Sequence, residues 1–371
     1  MPKRRSDTFD PVSIALPGIL ELSPYQPGKP VEALERELGI QNSIKLASNE
    51  NPRGPGPLVR DAVVRASELL SRYPDGSGYA LKERLAPHLG VAPQAITLGN
   101  GSNDVLELVA RVFLAPGRSG VVSEFAFVVY PLVVTAVGAE LLVAPAKAWG
   151  HDLDAMRARV RDDTGMVFIA NPNNPTGTWV SREALIGFLD ALPAHVIVVL
   201  DEAYFEYVEH DEYPDGIALL ARYPNLVVTR TFSKIHGLAA LRVGYSVSSP
   251  EIADLMNRVR QPFNVNSLAQ AAAAAALDDV GYVTQSRELA RLGMAEIEAG
   301  LEALGLDFIP SLGNFVTFRC PQDGAAIYER LLREGVIVRP IANYAMPHHL
   351  RATVGTPDEN ARLLAALAKV L

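Results

Sequence analysis

The sequence predicts an α/β fold: a mostly parallel central sheet sandwiched by helices, followed by a smaller α+β domain. Three observations predict it. Apolar runs of strand length alternate with amphipathic stretches of helix length. The run Val196–Leu200 is almost wholly β-branched, the composition of a strand buried on both faces. Near residue 280 the alternation gives way to one long amphipathic stretch and then to short strands. A chain of 371 residues is long enough for roughly two domains.

Taken in order, the opening MPKRRSDTFDPVSIALPGILEL is basic at first, but Asp10, Pro11 and Pro17 interrupt its apolar part, so it lacks the continuous core of a signal peptide. Ser23–Pro30 and Asn51–Pro57 are rich in Pro and Gly, as suits an arm feeding the next domain or a plain surface loop. Helices are expected over Pro57–Ser71, Ser102–Phe113, Ser181–Ala191 and Ser267–Leu277, and strands over Met166–Ala170, Val196–Leu200, Leu226–Arg230 and Leu241–Ser248. An amphipathic stretch from Val280 to Leu304 precedes short strands at Phe315–Arg319, Val336–Pro340 and Arg351–Gly355. The expected division is an N-terminal arm over 1–50 that packs with the small domain, a large domain over 51–280 and a small C-terminal domain over 281–371.

Composition removes several classes of function. Hydrophobic residues make up 49% and charged ones 20%, which suits a globular protein and not a disordered one. A net charge of −8 and a pI near 5.5 oppose a phosphate-backbone partner, so nucleic acid is not expected. One cysteine, Cys320, leaves no disulfide framework and no CxxC motif. No apolar run reaches the roughly 18 residues of a membrane span, and a cytoplasmic protein is expected. Gly99-Asn100-Gly101 lacks a third glycine, and Gly28-Lys29 lacks the upstream glycine of a P-loop. There is no G-x-S-x-G and no H-E-x-x-H, and adjacent His348 and His349 are neighbours that do not share a direction, so no metal is expected.

Four segments place polar residues just beyond expected strands, the edge at which open α/β sheets bind ligands. Gly99-Asn100-Gly101-Ser102-Asn103-Asp104 opens a helix whose free N–H groups suit an anion, although a plain helix cap reads the same way. Asn171-Pro172-Asn173-Asn174-Pro175-Thr176-Gly177 is a rigid turn able to present an Asn amide, or simply a turn. Asp201 ends a strand too apolar to leave its charge without a partner, and Tyr204 follows three residues on; capping of the next helix is the plainer use. In the fourth segment, Lys234 is one of seven lysines and sits between apolar and glycine residues after a buried strand, where an amine loses its proton readily and can attack a carbonyl. Ser233 and Arg242 flank it with a hydroxyl and a guanidinium suited to phosphate.

With these residues in place the chain resembles the pyridoxal-phosphate-dependent aminotransferases of fold type I, and within them the histidinol-phosphate aminotransferase family. The likeness runs nearly end to end. It rests on Ser23-Pro24-Tyr25, Arg72-Tyr73-Pro74-Asp75, the NPNNPTG turn, Asp201-Glu202-Ala203-Tyr204, Ser233-Lys234 with Leu241-Arg242-Val243-Gly244, and Arg351-Ala352-Thr353-Val354-Gly355-Thr356. Their shared order and spacing are specific where each alone is weak.

The resemblance implies a pyridoxal 5'-phosphate cofactor, with Lys234 as its Schiff-base lysine and acid–base group. It implies that Asp201 keeps the pyridine nitrogen protonated, that Asn174 and Tyr204 hydrogen-bond the ring oxygen, and that Phe127 stacks on the ring where the family often has tyrosine. It gives the phosphate to Ser102, Asn103, Ser233 and Arg242, together with Tyr73 from a partner subunit, and so implies a homodimer. Arg351, Arg339 and Tyr25 would hold the substrate's anion. The implied reaction is transamination between L-histidinol phosphate and 2-oxoglutarate, giving imidazole-acetol phosphate and L-glutamate in histidine biosynthesis. An aromatic aminotransferase shares the whole cofactor site, and a decarboxylase on the same scaffold or a cofactor-binding regulator are more distant readings. Ala240 departs from the usual glycine before Leu-Arg, and His236, at a variable position, suits packing or hydrogen bonding better than a proton relay.

Overall fold

The computed structural model describes residues 9–24 and 27–371. Its centre is a seven-stranded sheet in which Ile96–Gly99, Gly244–Val247, Leu226–Thr231, Ile197–Asp201, Thr164–Ala170, Ser119–Ser123 and Glu140–Ala144 lie side by side in that order. Every pairing is parallel except the two made by Gly244–Val247. Alternation along the central strands sends side chains into two separate cores. Val167, Ile169, Val198 and Leu200 pack on one face, and Met166, Phe168, Ile197 and Val199 on the other. Burial on both faces is the reason these strands read as unbroken apolar runs.

Most expected elements form near their expected bounds, including Ser102–Phe113, Ser267–Ala276 and the long helix Val280–Ala303. The helix from Pro57 stops at Ser67. The expected strand Leu241–Ser248 is shorter than its apolar pattern. Ala239–Leu241 forms a 3₁₀ turn and Arg242 takes a left-handed φ of 58°, so ladder pairing begins only at Gly244.

The C-terminal part builds a four-stranded sheet in the order Phe308–Ile309, Phe315–Arg319, His349–Thr353, Arg339–Pro340. The expected strand Val336–Pro340 divides between two sheets. Val336–Ile337 pairs in parallel with Ile44–Lys45, and Arg339–Pro340 pairs antiparallel with His349–Thr353. The strand expected over Arg351–Gly355 ends at Thr353, because Gly355 N–H turns to Asn360 Oδ1 and Thr356 starts a capping box with Glu359. Leu46 joins the core of this second sheet beside Val316, Val338 and Ala352. The segment before residue 50 is thereby tied to the C-terminal part, while the next residues lead into the large sheet. Among the described residues no helix is long and apolar enough to cross a membrane.

Candidate active site

The C-terminal ends of the parallel strands face a cavity of about 520 Å³. Its lining includes Ser102, Asn103, Phe127, Asn174, Asp201, Tyr204, Ser233, Lys234, Arg242, Arg339 and Arg351. Four of the motifs read from the sequence therefore meet at one place. They meet because neighbouring strands end at one sheet edge.

The antiparallel strand explains how Arg242 joins them. Gly244 pairs with Thr231 on one side and Gly99 on the other, so the residues just before it lie at the edge where the parallel strands finish. Close packing there demands glycine. A Cβ on Gly244 would lie 2.5 Å from Ser102 N, and one on Gly101, where φ is 81°, would lie 2.5 Å from Arg242 Nη2. The result is a cradle formed by the guanidinium of Arg242, the hydroxyl of Ser233 and the first N–H groups of the Ser102 helix. Such a cradle suits a phosphate.

Deeper in the cavity, Asp201 is 5% exposed. Its Oδ2 accepts from the Tyr130 hydroxyl at 2.7 Å and its Oδ1 from the Thr229 hydroxyl at 3.0 Å. Burial pushes its pKa up, opposed by those two hydroxyls, by a backbone N–H and by the charge of Lys234. Among the described residues no cation forms an ion pair with it. A buried carboxylate so placed is suited to a protonated ring nitrogen.

Lys234 is partly buried and donates from Nζ to Ser48 O at 3.0 Å. Burial, and then the positive charge of Arg351, push its pKa down to about 8. The buried Tyr204 receives a hydrogen bond from Asn49 Nδ2 at 2.8 Å, and burial pushes its phenol up to about 12. In the Asn-Pro turn, Asn171 bonds Val180 through both side-chain atoms and Asn173 donates to Phe125 O and Thr176 Oγ1. These two hold the turn. Asn174 is the one that lines the cavity, with its Oδ1 accepting from Arg351 Nη1.

The far wall comes from the four-stranded sheet. Arg339 and Arg351 are directly opposed in its ladder, so two guanidinium groups share one face. Like charges directly opposite are unfavourable by themselves and favour an anion between or beside them. Arg351 also donates from Nη2 to Ala47 O at 2.7 Å and lies 5.3 Å from the centre of the Phe315 ring.

Two expected residues are not in the lining. Tyr25 falls outside the described residues. Tyr73 is 83% exposed and stacks on Phe263 with ring centres 4.8 Å apart, a surface position from which it reaches no part of its own cavity. His236 turns away from the cavity, packs at 4.9 Å on Phe232, and is pushed down to about 4 by burial. Tyr130, Ser48, Asn49 and Tyr344 also line the cavity and were not marked by the sequence. Tyr130 carries a signal that could have found it, three residues after Phe127 at the start of a helix, on the same side as the cavity. The other three carry none.

Comparison with known proteins places this architecture. The model of aminotransferase classes I and II matches residues 41–367. Histidinol-phosphate aminotransferase 2 of Pseudomonas fluorescens is 60% identical over 364 residues, covering 98% of each chain. The protein of the same name from Pseudomonas aeruginosa is 58% identical over 364 residues, covering 98% of this chain and 99% of that one. The crystal structure of histidinol-phosphate aminotransferase from Sinorhizobium meliloti, in complex with pyridoxal-5'-phosphate, superposes with a TM-score of 0.88 at 33% identity, covering 96% of this chain and 97% of the other.

Proposed function

The chain belongs to the class I and II aminotransferases, and from that premise we propose that it transfers an amino group between L-histidinol phosphate and 2-oxoglutarate, giving imidazole-acetol phosphate and L-glutamate, as histidine biosynthesis requires. The observation that carries this reading is one cavity holding a primary amine with a pKa near 8 and a cradle for a phosphate, with two opposed arginines across from them. Identities of 54–60% to proteins named for this reaction support the choice of substrate.

The residues present fit pyridoxal phosphate. Asp201 is a buried carboxylate with hydroxyl donors and no ion-pair partner among the described residues, and Gly101 and Gly244 leave room for a phosphate cradle that a Cβ would fill. When bound, the cofactor supplies a carbonyl carbon that takes up an amine and a protonated ring that withdraws electrons from the substrate's Cα. Asp201 would hold the proton on the ring nitrogen. Ser102, Asn103, Ser233 and Arg242 would hold the phosphate, Phe127 would cover one ring face, and Asn174 and Tyr204 would donate to the ring oxygen.

Lys234 has two tasks in this reading. Its neutral Nζ would hold the cofactor at its carbonyl carbon, and the same amine, when free, would take the proton from the substrate's Cα and return it. A pKa near 8 leaves a useful fraction of the amine neutral at neutral pH. Arg351, Arg339 and Tyr25 would bind the substrate's phosphate or carboxylate and so fix where Cα sits relative to Nζ. The same cavity would receive glutamate and the phosphorylated oxo compound in turn, the cofactor when bound carrying the amino group between them and water supplying the oxo oxygen of 2-oxoglutarate.

The proposal extends to assembly and location. Tyr73 is exposed among Leu69, Leu70 and Tyr79, which are also exposed, and this supports a homodimer in which Tyr73 completes the phosphate site of the partner. Two separate sheets support the division into an arm to residue 50, a large domain to 280 and a small domain beyond it. A cytoplasmic location agrees with one buried, reduced cysteine.

Titration of the visible absorbance of the cofactor-loaded protein tests the substrate. Histidinol phosphate is expected to bleach the band at the lowest concentration, with kcat/KM about tenfold or more above that for phenylalanine. A preference for phenylalanine would transfer the assignment to aromatic transamination.

A further inference from the structure

Three successive residues at the end of the N-terminal segment each touch a different side chain of the site. Ala47 O accepts from Arg351 Nη2 at 2.7 Å, Ser48 O accepts from Lys234 Nζ at 3.0 Å, and Asn49 Nδ2 donates to Tyr204 Oη at 2.8 Å. The segment itself is held by the small sheet, since Leu46 N donates to Ile337 O and Thr353 N donates to Leu46 O.

Asn49 is 1% exposed and its polar groups are engaged. Its N–H donates to Thr353 Oγ1 at 2.9 Å, and that hydroxyl returns its hydrogen to Asn49 Oδ1 at 3.2 Å. Its carbonyl accepts from Asn314 Nδ2 at 3.2 Å. With Oδ1 occupied by Thr353, the amide NH₂ is what remains for Tyr204. The backbone has a left-handed φ of 55°, a conformation asparagine tolerates better than most residues.

We propose that Asn49 is a positioning residue for the transamination: by donating to Tyr204 Oη it fills a lone pair of the phenol and leaves the O–H hydrogen to point into the cavity. The inference rests on the aminotransferase reading of the site. A hydroxyl rotor turns to suit its partners, so a fixed donor on the oxygen decides where the hydrogen goes. Tyr204 remains a neutral donor at working pH because burial keeps its phenol protonated. Its O–H then stabilises an anionic ring oxygen, and the aim of that hydrogen is set by a segment seated on the small sheet. The phenol is on the large sheet's side and its aiming group on the arm seated against the small sheet.

The test uses Asn49→Gly and Asn49→Asp, each in the wild-type and Tyr204→Phe backgrounds, loaded with pyridoxal phosphate. Glycine keeps the left-handed backbone and removes the amide. Aspartate keeps the shape and the Thr353 contact but offers only acceptors, which draws the phenol hydrogen out of the cavity. The readouts are the pH midpoint of the visible absorbance, kcat, and the thermal midpoint of the cofactor-free protein. Loss of a stabilising donor lets the absorbance midpoint rise, by about half a unit in N49G and about one unit in N49D, with kcat falling about tenfold.

In the Tyr204→Phe background N49G is expected to leave the midpoint where Y204F alone puts it. An N49G shift that persists undiminished in Y204F overturns the proposal, as does an N49G protein with normal thermal midpoint, absorbance midpoint and kcat. Should N49G fail to fold, N49D decides: a shift equal in both backgrounds is a charge effect and overturns it. Wild-type protein that takes up cofactor yet exchanges no amino groups refutes the underlying aminotransferase reading, an outcome distinct from these.

Discussion

Asp201 enters the cavity from the last position of a strand in one large sheet, Ser102 from the start of a helix and Ser233 and Lys234 from a loop at the same edge of that sheet, whereas Arg339 and Arg351 enter it from inside two paired strands of another. The first wall is a set of local motifs, each at the end of a buried strand or a few residues past it. The second is a pairing: its charge pattern exists only because the antiparallel register sets Arg339 opposite Arg351. The contrast separates the tasks. In the proposed reaction the large sheet would present the groups that bear on bond-making and proton movement, held by strands buried on both faces. In the same proposal the small sheet would present the two arginines that hold the substrate's anion and so place the substrate.

Lys234→Ala gives the largest expected effect and bears on the first wall alone. Loss of the base should reduce kcat by about 10³-fold or more, measured by single-turnover release of 2-oxoglutarate from glutamate. An alanine protein that exchanged amino groups at the normal rate would break the division at its centre.

Arg351→Met sharpens the other side. Removing a charged contact to the substrate's anion should cost about 10- to 100-fold in kcat/KM for histidinol phosphate, while the affinity for pyridoxal phosphate in equilibrium binding stays near that of the wild type. A loss of cofactor affinity of the same size would show that the two walls do not divide the work.

The smallest effect crosses between the walls. Arg351 is the second cause, after burial, of the depressed pKa of Lys234. Only the neutral amine attacks a carbonyl, so the rate of cofactor uptake by the cofactor-free protein should rise with pH through a midpoint of about 8 and level off above it. With Arg351→Met the cation that disfavours protonated Lys234 is gone, and the midpoint should move upward by a fraction of a unit. Stopped-flow absorbance across pH 6 to about 10 reads both curves; a downward shift would contradict the sign of the coupling.

The first wall was legible in the sequence because its signals are short. Strand, glycine and a polar residue within a few positions marked Ser102, Asp201 and Lys234 before any contact was known, and the Asn-Pro turn marked Asn174. Arg242 was marked by its place before Val243-Gly244, but the conformation that delivers it was not. Its strand starts three residues later than the apolar pattern implies, since a close approach to Ser102 and Gly101 overrides the alternation. Tyr130 escaped because a tyrosine in an apolar helix reads as core, which outweighed the one signal of its spacing from Phe127; its hydroxyl meets Asp201.

By itself the sequence determined the α/β class, the two apolar faces of the large sheet, the lysine and carboxylate at its edge, and the likeness that gathers them into one enzyme family, all through patterns spanning a few residues or a fixed period. Only the tertiary structure decided that Asn49 meets Tyr204 and Thr353, that Ser48 receives Lys234, and that Arg339 opposes Arg351. Asn49 and Thr353 stand 304 positions apart, and no periodicity or spacing records such a contact. It arises when two sheets, each satisfied by its own local pattern, bury their polar edges against each other and the groups left there must find partners.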